Sequence, residues 1–320
     1  MQLTDDFLYL PDAVLETLDI TPTDICDAIE KALVDKAEGR LFTTPKSAII
    51  PGGGRYMMST LAVGDEGHTV LKTVAVTPEN TARNLPSING AILVLDANTG
   101  LLQAVMGANW ITAHRTAALS AVAAKRLARP DAASVGFIGC GTQALSHLAA
   151  FAALFPLQRV TAFGRGSANR DTLLETARRM GLEAQTAETP EEALRESDLI
   201  VTSVTMDFSI EPFLDVGWLK PRAFAAITDA CIPWQDEGLH RFGTIVVDDL
   251  DQERGTENPL APIDMIKGDL TDLVQGKVSV EDTGAPNAFA FRGIALGDYA
   301  AATLAFRRAQ TLGKGQRVAP

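Results

Sequence analysis

Ser134-Val135-Gly136-Phe137-Ile138-Gly139-Cys140-Gly141-Thr142-Gln143-Ala144 is the stretch that decides the fold. It opens as a short apolar run, breaks on glycine, and leads into a helical pattern over residues 142–154. A G-x-G-x-x-G/A turn between strand and helix is a dinucleotide-binding fingerprint. Gly139 makes the tight turn, and Gly141 lets a pyrophosphate approach the backbone. Ala144 is small enough for the helix to pack on the strand. Thr142 and Gln143 lie at the helix N-terminus, whose free N–H groups face an anion.

Working outward, strand and helix alternate. Residues 158–163 read as a strand, 171–181 as a helix, 182–185 as a short strand and 190–196 as a short helix. Residues 198–204 (DLIVTSV), 223–228 and 243–248 read as further strands. This alternation predicts a doubly wound parallel sheet. Thr202, Ser203 and Val204, at the end of one such strand, complete the expected cofactor-binding set. The strand 158–163 runs into Phe163-Gly164-Arg165-Gly166-Ser167, with no acid between Val160 and Arg170 to bind a ribose 2′-hydroxyl. Arg165, Ser167 and Arg170 could instead hold a 2′-phosphate. Arg165 could equally stack on adenine and serve NAD. The expected cofactor is therefore NAD(H) or NADP(H), with a lean to NADP(H).

Before this region the pattern differs. Residues 21–38 form an amphipathic helix that Thr23 or Asp24 could cap. Residues 88–96 and 101–106 read as a hairpin around Ala97-Asn98-Thr99-Gly100. Helices follow at 112–128 and, near the end, at 293–310. The predicted class is α/β: a Rossmann-type doubly wound parallel sheet plus an α+β substrate-binding and dimerisation domain. The substrate-binding and dimerisation domain takes residues 1–112 with 291–320, and the dinucleotide-binding domain residues 113–290.

The 320 residues are 46% hydrophobic and 21% charged, an ordinary globular balance that excludes disorder. The net charge of -12 argues against a nucleic-acid partner, and no apolar run suits a membrane span. An anionic substrate then needs local positive charge. Cys26, Cys140 and Cys231 are isolated, so neither a disulfide framework nor a zinc site is expected, and the compartment reads as reducing and cytoplasmic. The opening MQLTDDFLYLPDA reads as neither signal nor transit peptide. Cys140 reads as packing in the turn. Asp248, Asp249 and Asp251 read as a solvated loop, with no metal.

Further segments occur in a telling order. They are Lys72-Thr73-Val74 with Pro78 and Asn80, Leu85-Pro86-Ser87, and Leu95-Asp96-Ala97-Asn98-Thr99-Gly100. Ile111-Thr112-Ala113-His114-Arg115-Thr116-Ala117-Ala118, the glycine turn and Thr228-Asp229 follow. In this order and spacing, over about residues 20–310, the chain resembles the ornithine cyclodeaminase/mu-crystallin family. The resemblance implies C–N redox chemistry at an α-carbon, and a homodimer. Its members include cyclodeaminases, alanine dehydrogenases, ketimine and iminosuccinate reductases, and a non-enzymatic NADPH-binding crystallin.

By resemblance, Arg115 is the arginine that holds the substrate α-carboxylate, a role suited to a planar guanidinium. Lys72 matches the family's active-site lysine, and Asp229 its aspartate beside the nicotinamide. Lys46 stands where many members have a second carboxylate-binding arginine. The chain departs from the cyclodeaminases at Arg55-Tyr56-Met57-Met58-Ser59-Thr60, which lacks their glutamate before a Met-Pro pair. It also lacks a serine near the nicotinamide in Phe289-Ala290-Phe291-Arg292-Gly293. Lys46, Arg55, His114 and Arg292 would suit an anionic substrate. The expected activity is NAD(P)H-dependent reduction of a small α-imino acid, with iminosuccinate, giving aspartate, as the best-fitting substrate. The alternatives are a cyclodeaminase that recycles NAD and a non-enzymatic NADPH binder.

Overall fold

The computed structural model describes residues 6–65, 67–280 and 282–319, and at position 81 the backbone alone. Two compact units are present: one from the described residues of Met1–Arg115 and Gly293–Pro320, the other Thr116–Arg292.

The second unit is built on an eight-stranded sheet whose described pairings are all parallel. Its order is Glu183–Thr186, Arg159–Phe163, Ser134–Ile138, Leu199–Thr202, Phe224–Ile227, Asn287–Ala290, Thr244–Val247 and Ile266–Asp269. Five of these strands are buried at every position, which explains their unbroken apolar runs. The order reverses direction beside Ser134–Ile138, where a doubly wound sheet binds its ligand at the strands' carboxyl ends. Thr142–Leu154 is the first crossover helix. The next, Ser167–Arg179, starts earlier than its apolar pattern suggests, because Gly166 and Ser167 already take the helix entry. The strands Ile266–Asp269 and Asn287–Ala290 add to the expected set.

The first unit holds a mostly antiparallel sheet. Its path runs Gln316–Val318, Phe7–Leu10, Leu102–Gly107, Ile88–Asp96, His68–Val76, Arg55–Gly64 and Leu41–Thr43, with Ser47–Gly52 also on Arg55–Gly64. The expected 88–106 hairpin is therefore one ladder within a larger sheet. Helix Ala295–Leu312 packs on His68–Val76 and Arg55–Gly64 and against helix Pro22–Ala37. The latter is capped by Thr21, not by Thr23 or Asp24. The Thr21 hydroxyl accepts the Asp24 N–H, and the Asp24 carboxylate accepts the Thr21 N–H. Pro22, pre-set at the first helical position, moves the cap to the residue before it.

Period-two alternation gives His68–Val76 one covered face of His68, Val70, Lys72 and Val74. An ammonium group is thus carried onto a buried face between Val70 and Val74. The register sets Thr60 opposite Lys72 on one side and Ile92 on the other.

Gly136 shows how tightly the parallel sheet is covered. A Cβ there would meet the Ala193 carbonyl oxygen at 2.1 Å and the Ser197 hydroxyl at 2.6 Å. Gly136→Ala is expected to destabilise by about 1–3 kcal/mol, as overpacking does. A thermal melt checks this: an unchanged midpoint would contradict the contact.

Candidate active site

In the second unit, Gly139 leaves its strand at φ +88°, and its N–H donates to the Phe163 carbonyl at 2.9 Å. A Cβ there would stand 2.6 Å from the Ser203 carbonyl oxygen, so the turn requires glycine. At Gly141 a Cβ would meet nothing within 4 Å, which leaves open space over the helix N-terminus. Ala144 is fully buried under the helix. A cavity of about 380 Å³ lies at this turn, lined among others by Gly139, Gly141, Arg165, Ser203 and Val204. The bare turn, the open helix end and the cavity fit a pyrophosphate.

Arg165 and Ser167 are exposed, and no acid occupies the strand end. Cys140 is buried, and its thiol points at the Phe163 carbonyl at 3.5 Å. Burial pushes that thiol up to about 11, so it is packing. Thr202 departs from expectation. It is fully buried and its hydroxyl donates to Asp229 Oδ1 at 3.0 Å, so it supports the aspartate instead of lining the cofactor cavity.

Asp229 follows the strand Phe224–Ile227 and is fully buried. Its Oδ2 accepts the Val204 N–H at 3.1 Å. Burial raises its pKa to about 7, against the two donors, which lower it. A buried carboxyl poised near neutrality at the end of a parallel strand has the environment that general acid–base chemistry requires.

The first unit contributes a buried charge cluster. Lys72 Nζ donates to Asp298 Oδ1 at 2.6 Å, and Arg115 Nε lies 3.0 Å from the same oxygen. Thr60 Oγ1 donates to Asp298 Oδ2 at 2.9 Å. The three charged side chains are 3% exposed or less. Burial, then the Arg115 charge, lowers the Lys72 pKa to about 7, although Asp298 opposes the shift. Asp298 remains ionised, because Arg115 and Lys72 outweigh its own burial. Lys46, half-buried, places its ammonium 5.6 Å from the Tyr56 ring centre and repels Lys72 electrostatically.

Asp298 is absent from the residues that sequence reasoning singled out. The signal was available. It is a lone acid in an alanine-rich helix whose face is otherwise apolar.

The extra cationic groups are engaged locally. Arg292 is not an open substrate ligand: its guanidinium pairs with the fully buried Glu253 and donates to the Asn258 carbonyl at 2.8 Å. His114 stacks on Trp110 with ring centres 4.3 Å apart, and its Nδ1 lies 2.8 Å from the Trp110 carbonyl oxygen. Burial lowers its pKa, so it supplies no fixed positive charge at neutral pH. Arg55 is exposed, and its guanidinium donates to the Gly52 and Pro51 carbonyls of its own turn.

Nor do Asp248 and Asp249 form a solvated loop. Asp248 is fully buried and accepts the Arg292 backbone N–H at 3.2 Å, while Asp249 caps the helix Leu250–Arg254. Among the described residues no group of three or more metal-ligating side chains occurs. No helix among them is long and apolar enough to cross a membrane.

A family model described as the ornithine cyclodeaminase/mu-crystallin family matches residues 9–312. A Delta(1)-pyrroline-2-carboxylate reductase of Paracoccus denitrificans is 32% identical over 218 residues, covering 64% of this chain and 67% of that protein. Among solved structures, Thermococcus litoralis Delta(1)-pyrroline-2-carboxylate reductase with NADH and L-proline aligns with a TM-score of 0.89 and 25% identity, over 98% of this chain and 100% of that one. An archaeal alanine dehydrogenase dimer with bound NAD aligns with a TM-score of 0.87 and 25% identity, over 98% and 99%.

The Asp298 carboxylate pairs with both buried cations, so Asp298→Asn removes the counter-charge they share. The expected cost is about 3–5 kcal/mol of stability, with the Lys72 pKa falling below its present position. Denaturant unfolding measures the first and the ammonium titration the second. A variant as stable as the parent would contradict the cluster.

Proposed function

Because the chain belongs to the ornithine cyclodeaminase/mu-crystallin family, we propose that it is an NAD(P)-dependent oxidoreductase that reduces a small α-imino acid to the amino acid. The buried group of Lys72, Arg115 and Asp298 carries this reading. A guanidinium suits an α-carboxylate, and a desolvated ammonium near neutrality suits exchange of a proton with nitrogen. The similarity to pyrroline-2-carboxylate reductases supports the same class.

When bound, the nicotinamide supplies the hydride that the α-carbon accepts. Arg115, with Lys46, holds the α-carboxylate and so fixes the carbon's orientation. Lys72 and Asp229 hold and deliver the proton that the nitrogen gains as the C=N bond becomes a C–N single bond. The reverse reaction is an amino-acid dehydrogenation. Gly139, Gly141, Thr142, Gln143 and Ala144 form the phosphate cradle, with Ser203 and Val204 on the cavity wall. Arg165, Ser167 and Arg170 support NADPH over NADH. Within the substrate class, iminosuccinate is the reading of the extra positive charge. It now rests on Lys46 and on Arg55, which is exposed although its guanidinium donates to carbonyls of its own turn, since His114 and Arg292 are held by Trp110 and Glu253. Three cysteines outside any disulfide support a reducing, cytoplasmic setting.

Nicotinamide absorbance tests the reading, with NADH and NADPH offered separately. The imines are those of oxaloacetate and of pyruvate with ammonium, and pyrroline-2-carboxylate. Oxidation with one of them is expected. The reductive rate should fall as pH rises through about 7, as Lys72 and Asp229 lose their protons, and amine oxidation should rise over the same interval. Silence on every imine with ammonia release from ornithine would assign a cyclodeaminase. Silence on both with nucleotide binding would assign a binding protein.

A homodimer is part of the same proposal. Strand Ser47–Gly52 leaves Ile49 and Ile50 at 68% and 72% exposure, an apolar pair in water. The structurally similar alanine dehydrogenase is a dimer. Solution scattering is expected to give about twice 34.0 kDa, and a monomer mass would refute it.

A further inference from the structure

We propose that Thr202 and Trp234 are positioning residues that orient and tune the Asp229 carboxyl group. Thr202 acts by direct donation, and Trp234 by fixing the direction of the Thr202 hydroxyl. The inference deepens the reductase reading, in which Asp229 handles the substrate proton.

The argument starts from donor counting. An indole N–H donates only, and Trp234 Nε1 lies 3.3 Å from Thr202 Oγ1. The Thr202 oxygen is therefore the acceptor toward Trp234, and its single proton is directed at Asp229 Oδ1, 3.0 Å away. Asp229 Oδ2 already accepts the Val204 N–H. Both carboxyl oxygens thus face donors, an arrangement that favours the ionised form. Protonating Oδ1 would make the Thr202 oxygen accept twice and displace its own proton. Thr202 and Trp234 are both fully buried, so water does not substitute for either contact.

The backbone between Asp229 and Trp234 is shaped to make this contact. Ala230 and Cys231 both adopt left-handed φ angles, +56° and +59°, a conformation unfavourable for residues with a Cβ. The Ile232 N–H donates to the Asp229 carbonyl at 3.2 Å, and the Trp234 N–H to the Cys231 carbonyl at 3.0 Å. The tight turn brings Trp234 back onto the residue that supports Asp229. Strain of this kind persists only where surroundings over-determine it. Of the described titratable groups, the Cys231 thiol interacts electrostatically with Asp229, and its pKa is raised well above the ordinary value, first by burial. Glu253 and Asp236 raise that thiol's pKa further and Arg292 lowers it, through their charges.

The test reads Asp229 directly. The 13C resonance of its side-chain carboxyl is followed against pH in the substrate-free protein, assigned with Asp229→Asn. Thr202→Val, which keeps shape and removes the donor, should move the midpoint up by about one pH unit. Thr202→Ser should restore it, and Trp234→Phe should move it in the same direction by less. In the imine assay, the corresponding limb of the kcat/KM profile, which reports the free enzyme, should move with the midpoint, while the imine KM on the plateau changes less than about twofold. An unmoved midpoint in Thr202→Val, or a Thr202→Ser variant shifted as far as Thr202→Val, would overturn the proposal. If the parent protein reduces no imine yet the midpoint moves as expected, the reductase reading fails and the positioning of Asp229 stands.

Discussion

A single carboxylate, Asp298, permits two cations to lie inside the first unit. Lys72 and Arg115 are each almost completely shielded from water, a placement that costs several kcal/mol per ion without compensation. One oxygen of Asp298 meets both, and the other is held by Thr60. Asp298 is thus a counter-charge that both cations share. Burial, with the Arg115 charge beside it, is why the Lys72 ammonium sits near neutrality even though Asp298 opposes the shift.

The second unit solves the converse problem. Asp229 is a buried acid that, among the described residues, is sustained by hydrogen-bond donors rather than by a cation. Desolvation pushes its proton affinity up while Thr202 and Val204 pull it down. The two units therefore reach a similar pKa from opposite directions, burial driving the Lys72 ammonium down and the Asp229 carboxyl up. A proton-transfer group near pH 7 is available in both protonation states, which suits a reaction that runs in either direction.

Particular residues show what was legible. The Gly139–Ala144 turn declared itself because its chemistry is local: a glycine at positive φ, a strand before it and a helix after it. Lys72, Arg115 and Asp229 were legible through their neighbours in sequence and the resemblance those neighbours carried. Arg292 and His114 were read as charge for the substrate because a sequence displays charge without its partners. Glu253, 39 positions from Arg292, claims that guanidinium, and the stacked Trp110 leaves His114 in a dry environment where its charged form is disfavoured. Asp298 escaped for the same reason in reverse. It lies 226 positions from Lys72, and only the packing of the last long helix on the antiparallel sheet unites them.

The sequence by itself determined the parallel, doubly wound sheet, its glycine turn and the identity of the principal ionisable groups. Those properties follow from residue periodicity, backbone conformational preference and short spacing. The tertiary structure decided which charges are compensated and which hydroxyl faces which acid. Thr202 shows the distinction: its place at a strand end was legible, but its role as a donor to Asp229 depends on a turn that returns Trp234 to it. Burial and pairing energies depend on distances between remote segments, and those distances exist only once the chain has folded.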